Sequence, residues 1–463
     1  MNTDTAKTTK FFESNGASPS PESKEKGLPE IYYDQETKNY FLPNAQGGYN
    51  KVTEASARDD LKRKGYPPFC PKDQDGRLLK FTSPVDDILA EIRARHNVAY
   101  AGPLGGKTPS FYETNGKRIL VTSGPTLILG KKGKCNTIKR FLEGMFGADN
   151  VQLLYLFAWL KVALAGLLAG GERDAAQMLW FIGPRNCGKS LLQKIITLLF
   201  GGREGRPYLR MAGRTDFNRD LIGSEHQVIE DEAPHRDLAT RRDFGTRIKD
   251  ATVNNLVHCH GKGLEAIPLA PWWRITASAN DEPENLSILP ILDESITDKI
   301  MIFKVQRPDA VLPKSIADKA AFWQQLVSEL PAFVYFLEKW EIPADLIDSR
   351  FGVKAYHHQE IMEAVEGLSP EAQMLELIDQ EIFGDLGFSE AWRGSAADLE
   401  RCLTRSATAD AIGSSVREQA RRLLTSTKTV GTYLSRLAKK LPQRVRLTRV
   451  HDPRQYEMEP PPL

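Results

Sequence analysis

The sequence has no disulfide framework: its five cysteines, Cys70, Cys135, Cys187, Cys259 and Cys402, are scattered, odd in number and without CxxC spacing. That excludes a stapled secreted scaffold and fits a reducing cytoplasm. An excess of charge is also missing. With 62 basic against 60 acidic residues the net charge is +2, so a nucleic-acid surface would have to come from clustering. Long apolar runs are scarce. The one present, residues 151–169, carries Lys161 at its centre; charge at that depth is costly in lipid, so the run reads as a buried helix with no membrane. The first 27 residues, rich in Ser, Thr, Lys and Glu, lack the apolar core of a signal peptide or anchor and read as a disordered tail. There is no internal repeat. What remains, 41% hydrophobic and 26% charged residues over 463 positions, is the composition of a soluble globular chain of two to four domains.

Patterning divides the chain. Residues 30–34 and 39–42 are aromatic runs around a polar turn and predict a hairpin. Helical spacing covers 53–64 and 85–96, and 117–129 predicts strands separated by the turn Ser123-Gly124-Pro125. Two helices over 136–145 and 151–169 precede a strand, loop, helix, strand alternation over 178–305, the order an α/β sheet requires. Helical spacing resumes at 315–338, where Pro331 is expected to end one helix and open the next, and continues to about 383.

Inside the alternation, the apolar stretch Met178-Leu179-Trp180-Phe181-Ile182 runs directly into Gly183-Pro184-Arg185-Asn186-Cys187-Gly188-Lys189-Ser190, and an amphipathic helix follows over 191–200. This is a phosphate-binding loop in its proper setting. Gly183 and Gly188 let backbone N–H groups turn toward phosphate oxygens, and the helix N-terminus adds its dipole. Lys189 is expected to reach the β- and γ-phosphates of ATP, and Ser190 to hold Mg²⁺. A second buried strand ends in Gln227-Val228-Ile229-Glu230-Asp231-Glu232. Asp231 would orient Mg²⁺ and Glu232 would act as general base on the attacking water, with Glu230 alongside leaving the register open by one residue. A third strand, 273–279, ends at Asn280. A neutral amide there can hold the lytic water without repelling anions.

The order of these motifs, closing on Thr276-Ala277-Ser278-Ala279-Asn280, resembles superfamily 3 helicases, the AAA+ ring motors of phages, viruses and plasmids, and is most similar to the helicase part of phage and plasmid primase-helicases. The resemblance implies a hexameric ring around DNA. Arg247-Ile248-Lys249-Asp250-Ala251-Thr252-Val253 and His258-Cys259-His260-Gly261-Lys262-Gly263-Leu264 look like the family's pore hairpin, with Lys262 at its tip and Lys249 as a second DNA contact. Where many relatives carry an arginine that reaches the neighbouring subunit's γ-phosphate, this chain reads Ile296-Thr297-Asp298-Lys299-Ile300-Met301. Lys299 supplies charge but no bidentate fork, and Arg241, Arg242, Arg247 and Arg350 stay open as alternatives. His258 and His260 share a strand face, but nothing completes a zinc site.

Beyond 391 the character changes. Ser395-Ala396-Ala397-Asp398 and Ser415-Val416-Arg417-Glu418 predict helix starts, a third helix spans 426–441, and 444–450 with 454–458 predict a hairpin, together resembling a winged helix. From Arg421 to Arg454 there are ten Lys or Arg against one acid, Asp452. Lys428, Thr432, Arg436 and Lys439 fall on one helical face suited to DNA.

The expected architecture is therefore α/β: a P-loop AAA+ ATPase core with an N-terminal mixed α/β region, a helical collar and a C-terminal winged helix. Its segments are a disordered tail (1–28), a small mixed domain (29–134), a collar (135–172), the ATPase core (173–310), a helical region (311–390) and the winged helix (391–463). The expected function is an ATP-dependent DNA helicase or translocase of a phage or mobile element, cytoplasmic, with ATP and Mg²⁺ as cofactors. DNA, further copies of itself and a separate primase are the expected partners. The rival is a DNA-binding ATPase switch, a loader or defence ATPase that hydrolyses without unwinding; a small-molecule kinase has little use for Asn280 or a basic winged helix.

Overall fold

The computed structural model describes residues 28–461 apart from 115, 148–149, 173, 231–237, 314, 386–389, 405–412 and 450–452. It divides into two units, residues 1–281 with 292–357 and residues 282–291 with 358–463.

Aromatic residues punctuated by turns open the first unit as small sheets. Strands β1 (Tyr32–Asp34), β2 (Asn39–Pro43) and β3 (Tyr49–Val52) form an antiparallel meander. Helices α1 (Glu54–Arg63) and α2 (Pro84–Arg95) follow, and β4 (Asn97–Val98) then joins β1 in parallel. Thr53 caps α1, and Ser83 with Asp86 closes a capping box on α2, satisfying N–H groups the helices leave free. Strands β5 (Tyr100–Gly102), β6 (Ser110–Thr114) and β7 (Lys117–Val121) make a second sheet in the order β5-β7-β6. The strand expected after Ser123-Gly124-Pro125 does not form. That segment lies against the loop at 201 instead, where Thr126 N donates to the Gly201 carbonyl at 3.0 Å.

Helices α3 (Asn136–Phe146) and α4 (Asn150–Leu168) lead to the central sheet. Its strands are β8 (Met178–Ile182), β9 (Glu204–Gly205), β10 (His226–Ile229), β13 (Arg274–Ala279) and β14 (Ile300–Lys304). Between them lie α5 (Lys189–Leu199), α6 (Tyr208–Met211), α7 (Leu238–Val253) and the hairpin of β11 (Val257–Cys259) and β12 (Ile267–Leu269). All pairings are parallel, in the order β14-β8-β13-β10-β9, and β8, β10 and β13 are buried throughout, as strands covered on both faces must be. Leu179 and Phe181 face a core shared with α3, α4, α5 and α8 (Ile316–Lys339), while Trp180 meets Phe244 of α7 on the other side.

α4 is long and apolar enough to span a membrane by length and composition, with half of its window buried in the fold. Lys161 is satisfied there: its ammonium donates to the carbonyls of Leu337 and Glu338 at 3.1 and 2.8 Å. α8 corrects the reading of Pro331, since a single helix runs through it. The lost hydrogen bond and clash cost about 3 kcal/mol. Leu326, Leu330, Phe333, Val334 and Leu337, all buried along one face on both sides of the proline, contribute about 1.5–3 kcal/mol each and outweigh it. α8 also completes α3: Cys135 offers no side-chain cap, and the Glu329 carboxylate accepts from Thr137 N and Ile138 N at 2.9 and 3.1 Å.

In the second unit, α9 (Gln359–Gly367), α10 (Pro370–Ile378), α11 (Ala396–Thr404), α12 (Gly413–Leu423) and α13 (Thr427–Lys440) accompany an antiparallel sheet. That sheet comprises β15 (Trp392–Ser395), β16 (Val445–Arg449) and β17 (Gln455–Met458), ordered β15-β17-β16. Its core includes Met374, Leu399, Leu434, Leu437, Tyr456 and Met458. The Ser395–Asp398 capping box is present, but α12 begins at Gly413, two residues before Ser415, and β15 adds a strand to the expected hairpin.

Candidate active site

Two neighbouring parallel strands assemble the site. β8 and β13 run in register to Ile182 opposite Ala279, and the chain continues from one into the Gly183–Ser190 loop and from the other into Asn280. Gly183 is wedged between the two neighbours of β8: its N–H donates to the Ala279 carbonyl at 3.3 Å, and a Cβ there would lie 2.1 Å from the Val305 carbonyl oxygen. Only glycine fits. Further along, Asn186 and Gly188 adopt φ of 59° and 97°, the left-handed turns that gather successive N–H groups into an anion-binding concavity. Gly188 packs on Phe141 and opens α5 without a side-chain cap, leaving the first-turn N–H groups available.

Lys189 stands at the centre. It is 7% exposed, and its ammonium donates to the carbonyls of Gly183 and Pro184 at 2.7 and 2.8 Å and to Asn280 Oδ1 at 3.0 Å. Every one of those acceptors is neutral, and among the described residues no carboxylate lies within ion-pair distance. Among the described residues the buried cation is met by neutral dipoles, which compensate it incompletely, and an anionic phosphate chain would complement it. Burial pushes the neighbouring Cys187 thiol up despite the lysine, so it stays protonated. The residues present therefore fit a nucleoside polyphosphate.

β10 ends at Ile229, and Glu230 is the first residue past its tip. Asp231 and Glu232 lie outside the described residues. Burial alone would raise the Glu230 carboxyl, but hydrogen bonds from Arg206 and Ser190, with the charges of Arg206 and Lys194, hold it below its ordinary value. Ser190 and Glu230 thus form a paired hydroxyl and carboxylate beside the loop, an all-oxygen donor set suited to Mg²⁺. Behind the loop, Gln193 of α5 donates to Thr276 Oγ1 at 3.0 Å, and His226 bonds Thr276 and Thr197 at 2.8 and 2.7 Å, tying α5, β10 and β13 together.

Lys299 is not brought into this cluster. It precedes β14, whose Ile300 pairs with Met178, so about 16 Å of strand separates it from the loop at the other end of the sheet. Its ammonium bonds Asp298 at 2.6 Å with 12% of the side chain exposed; Arg350 shares Asp298 at 3.2 Å and is half exposed. The hairpin expected around Lys262 is present, with Gly263 at φ 73° in the turn and Lys262 exposed. Buried Asn218, unmarked by any motif, holds its root by accepting from His260 N at 2.7 Å and donating to the His258 carbonyl at 2.9 Å. Lys249 instead engages Ser295 and Asp293 ahead of β14.

In the second unit a groove of about 770 Å³ runs along α13, bordered by Lys428, Thr432, Arg436, Lys439 and Arg454, so the basic face read from the sequence exists. Arg436 is engaged by Glu371 at 3.6 Å, whereas Lys428 and Lys439 are exposed.

No protein-family model matches the sequence, and no curated protein matches it. The fold is similar to two solved apo structures of the C-terminal region of NrS-1, with a TM-score of 0.52 in each case. Identity is 12% and 11%, over 93% of this chain and 96% of theirs. At that identity the likeness is one of fold: mixed α/β with a parallel sheet and flanking helices. A structure of JCV helicase with a bound small molecule aligns over 54% of this chain and 72% of that one at 15% identity, with a TM-score of 0.27, too slight a likeness to argue from.

Proposed function

We propose that the chain is an Mg²⁺-dependent ATPase of the superfamily 3 kind, an AAA+ motor that works as a hexameric ring to unwind or move along DNA in the replication of a phage or mobile element. The observation that carries the proposal is the buried Lys189 ammonium, set among the loop carbonyls of Gly183 and Pro184 and joined across adjacent strands to Asn280. In this reading Lys189 takes the β- and γ-phosphates, the loop N–H groups cradle them, and Asn280 exchanges its lysine contact for the attacking water. Ser190, with Glu230 or Asp231, would hold Mg²⁺, which supplies positive charge to the phosphate oxygens. Glu232 remains the assigned general base.

α3 and α4 serve as the collar, Lys262 presents a cation to the DNA backbone in the pore, and residues 391–463 act as a winged helix whose α13 face meets duplex DNA. Arg350 is better suited than Lys299 to reach a neighbouring subunit, because it is exposed and carries a guanidinium fork. A separate primase would prime synthesis on the opened strands.

Nucleotide hydrolysis by Lys189→Ala is expected to fall to background, and the unaltered chain is expected to displace a strand from forked DNA with ATP. Hydrolysis surviving in the variant would overturn the site. DNA-stimulated hydrolysis without strand displacement would replace the motor by a DNA-binding switch.

A further inference from the structure

Arg206 belongs to no motif, yet the topology carries it to the nucleotide loop. β9 pairs with β10 in parallel, Glu204 opposite His226 and Gly205 opposite Gln227, so Arg206 leaves the edge strand at the same end of the sheet as Glu230 and Gly183. Pro207 follows it and restricts its backbone to extended conformations, which fixes the direction from which the side chain approaches. The guanidinium bridges two carboxylates, Glu204 at 2.6 Å and Glu230. Glu230 in turn accepts from Ser190, within the phosphate loop. One carboxylate and one hydroxyl thus separate Arg206 from the second residue of α5. Its side chain is 56% exposed, so it can change partners without unpacking the core.

Two cations considered for the trans-acting role stand farther off: Lys299 and Arg350 gather at the opposite end of the sheet around Asp298. Glu204 is itself anchored by Thr197, whose hydroxyl donates to it at 3.1 Å. The guanidinium has five donors in a fork, enough to keep Glu204 and take a new acceptor in place of Glu230. That acceptor has to be anionic to compete with a carboxylate, and the terminal phosphate of a nucleotide in the adjoining loop meets the requirement.

We propose that Arg206 is a triphosphate-recognising residue acting within its own subunit, its guanidinium passing from Glu230 to the terminal phosphate of the bound nucleotide while Glu204 holds it in place. The inference rests on the reading of the Gly183–Ser190 loop as a nucleotide site. It makes the loop distinguish ATP from ADP by a contact that diphosphate does not reach.

Equilibrium binding of fluorescent ATPγS and fluorescent ADP to the full chain tests it. Arg206→Ala is expected to raise the Kd for ATPγS about tenfold, the loss of one charge-assisted contact, and to leave the Kd for ADP unchanged. Arg206→Gln, which keeps a hydrogen bond to Glu204 and loses the charge, is expected to show the same selective loss, and Arg206→Lys an intermediate one. Equal weakening of both nucleotides, or no change in either, overturns the proposal. Lys189→Ala separates the two levels of inference. If it binds both nucleotides as the unaltered chain does, the nucleotide site itself fails; if it loses both while the Arg206 variants bind normally, only the role of Arg206 falls.

Discussion

Replacing His226 by Gln tests how the central sheet responds to acid. The imidazole is wholly buried in β10, bonded to Thr197 and Thr276 at 2.7 and 2.8 Å. Burial, reinforced by the Arg206 charge, lowers it from 6.5 to about 3. A histidine with so low a folded pKa takes up its proton only when the sheet opens. Stability is therefore untouched above the unfolded value of 6.5 and is lost as the pH falls from there toward 3. The slope is about 1.4 kcal/mol per pH unit, so the loss from this residue between pH 7 and pH 5 is about 2 kcal/mol. Amide hydrogen exchange in β10 and β13, corrected for intrinsic rates, reads the local opening free energy at both pH values. The unaltered chain is expected to lose about 2 kcal/mol more than His226→Gln over that interval. The comparison is between slopes, so a constant penalty from the substitution does not enter. Equal losses in both proteins would refute the assignment of a neutral, acid-sensitive His226.

Three further outcomes are expected. Gly183→Ala drives a methyl group into the Val305 carbonyl and should abolish nucleotide binding, as measured by fluorescent ADP titration. Lys262→Ala, at an exposed hairpin tip, should keep basal hydrolysis and lose its stimulation by DNA in a phosphate-release assay. Lys428→Ala with Lys439→Ala, both exposed on the α13 groove, should weaken duplex binding regardless of sequence and reduce the salt slope of log K by about two, read by fluorescence anisotropy over a salt series.

The loop and its strand were legible because their chemistry is local: eight consecutive residues, an apolar run before them and an amphipathic one after. Asn280 was legible by its place in the order of motifs, and the sheet explains it, since β8 and β13 are direct neighbours. Three acids in a row, Glu230 to Glu232, give no register in the sequence; the end of β10 at Ile229 makes Glu230 the first residue past the strand. Arg206 and Asn218 had no signature at all. Each acts across tertiary distance, one through the pairing of β9 with β10 and the other through a loop on the hairpin root. Pro331 misled because the local rule against an internal proline yields to five buried apolar side chains that only the packed core reveals. The C-terminal basic face was visible as helical spacing, while the diversion of Arg436 to Glu371 was not, since that acid comes from another helix.

The cap that Glu329 places on α3 has a consequence for how the chain is made. The acceptor lies 192 residues beyond the N–H groups it satisfies, a stretch that takes about 10–40 s to synthesise at ordinary ribosomal speed. Throughout that interval α3 has left the ribosome with an unfinished end, and the apolar α4 beside it has not yet met the carbonyls of α8 that receive Lys161. The first half of the core is thus translated well before its covering helix. During synthesis the apolar surface that later anchors the sheet therefore waits on a helix encoded far downstream.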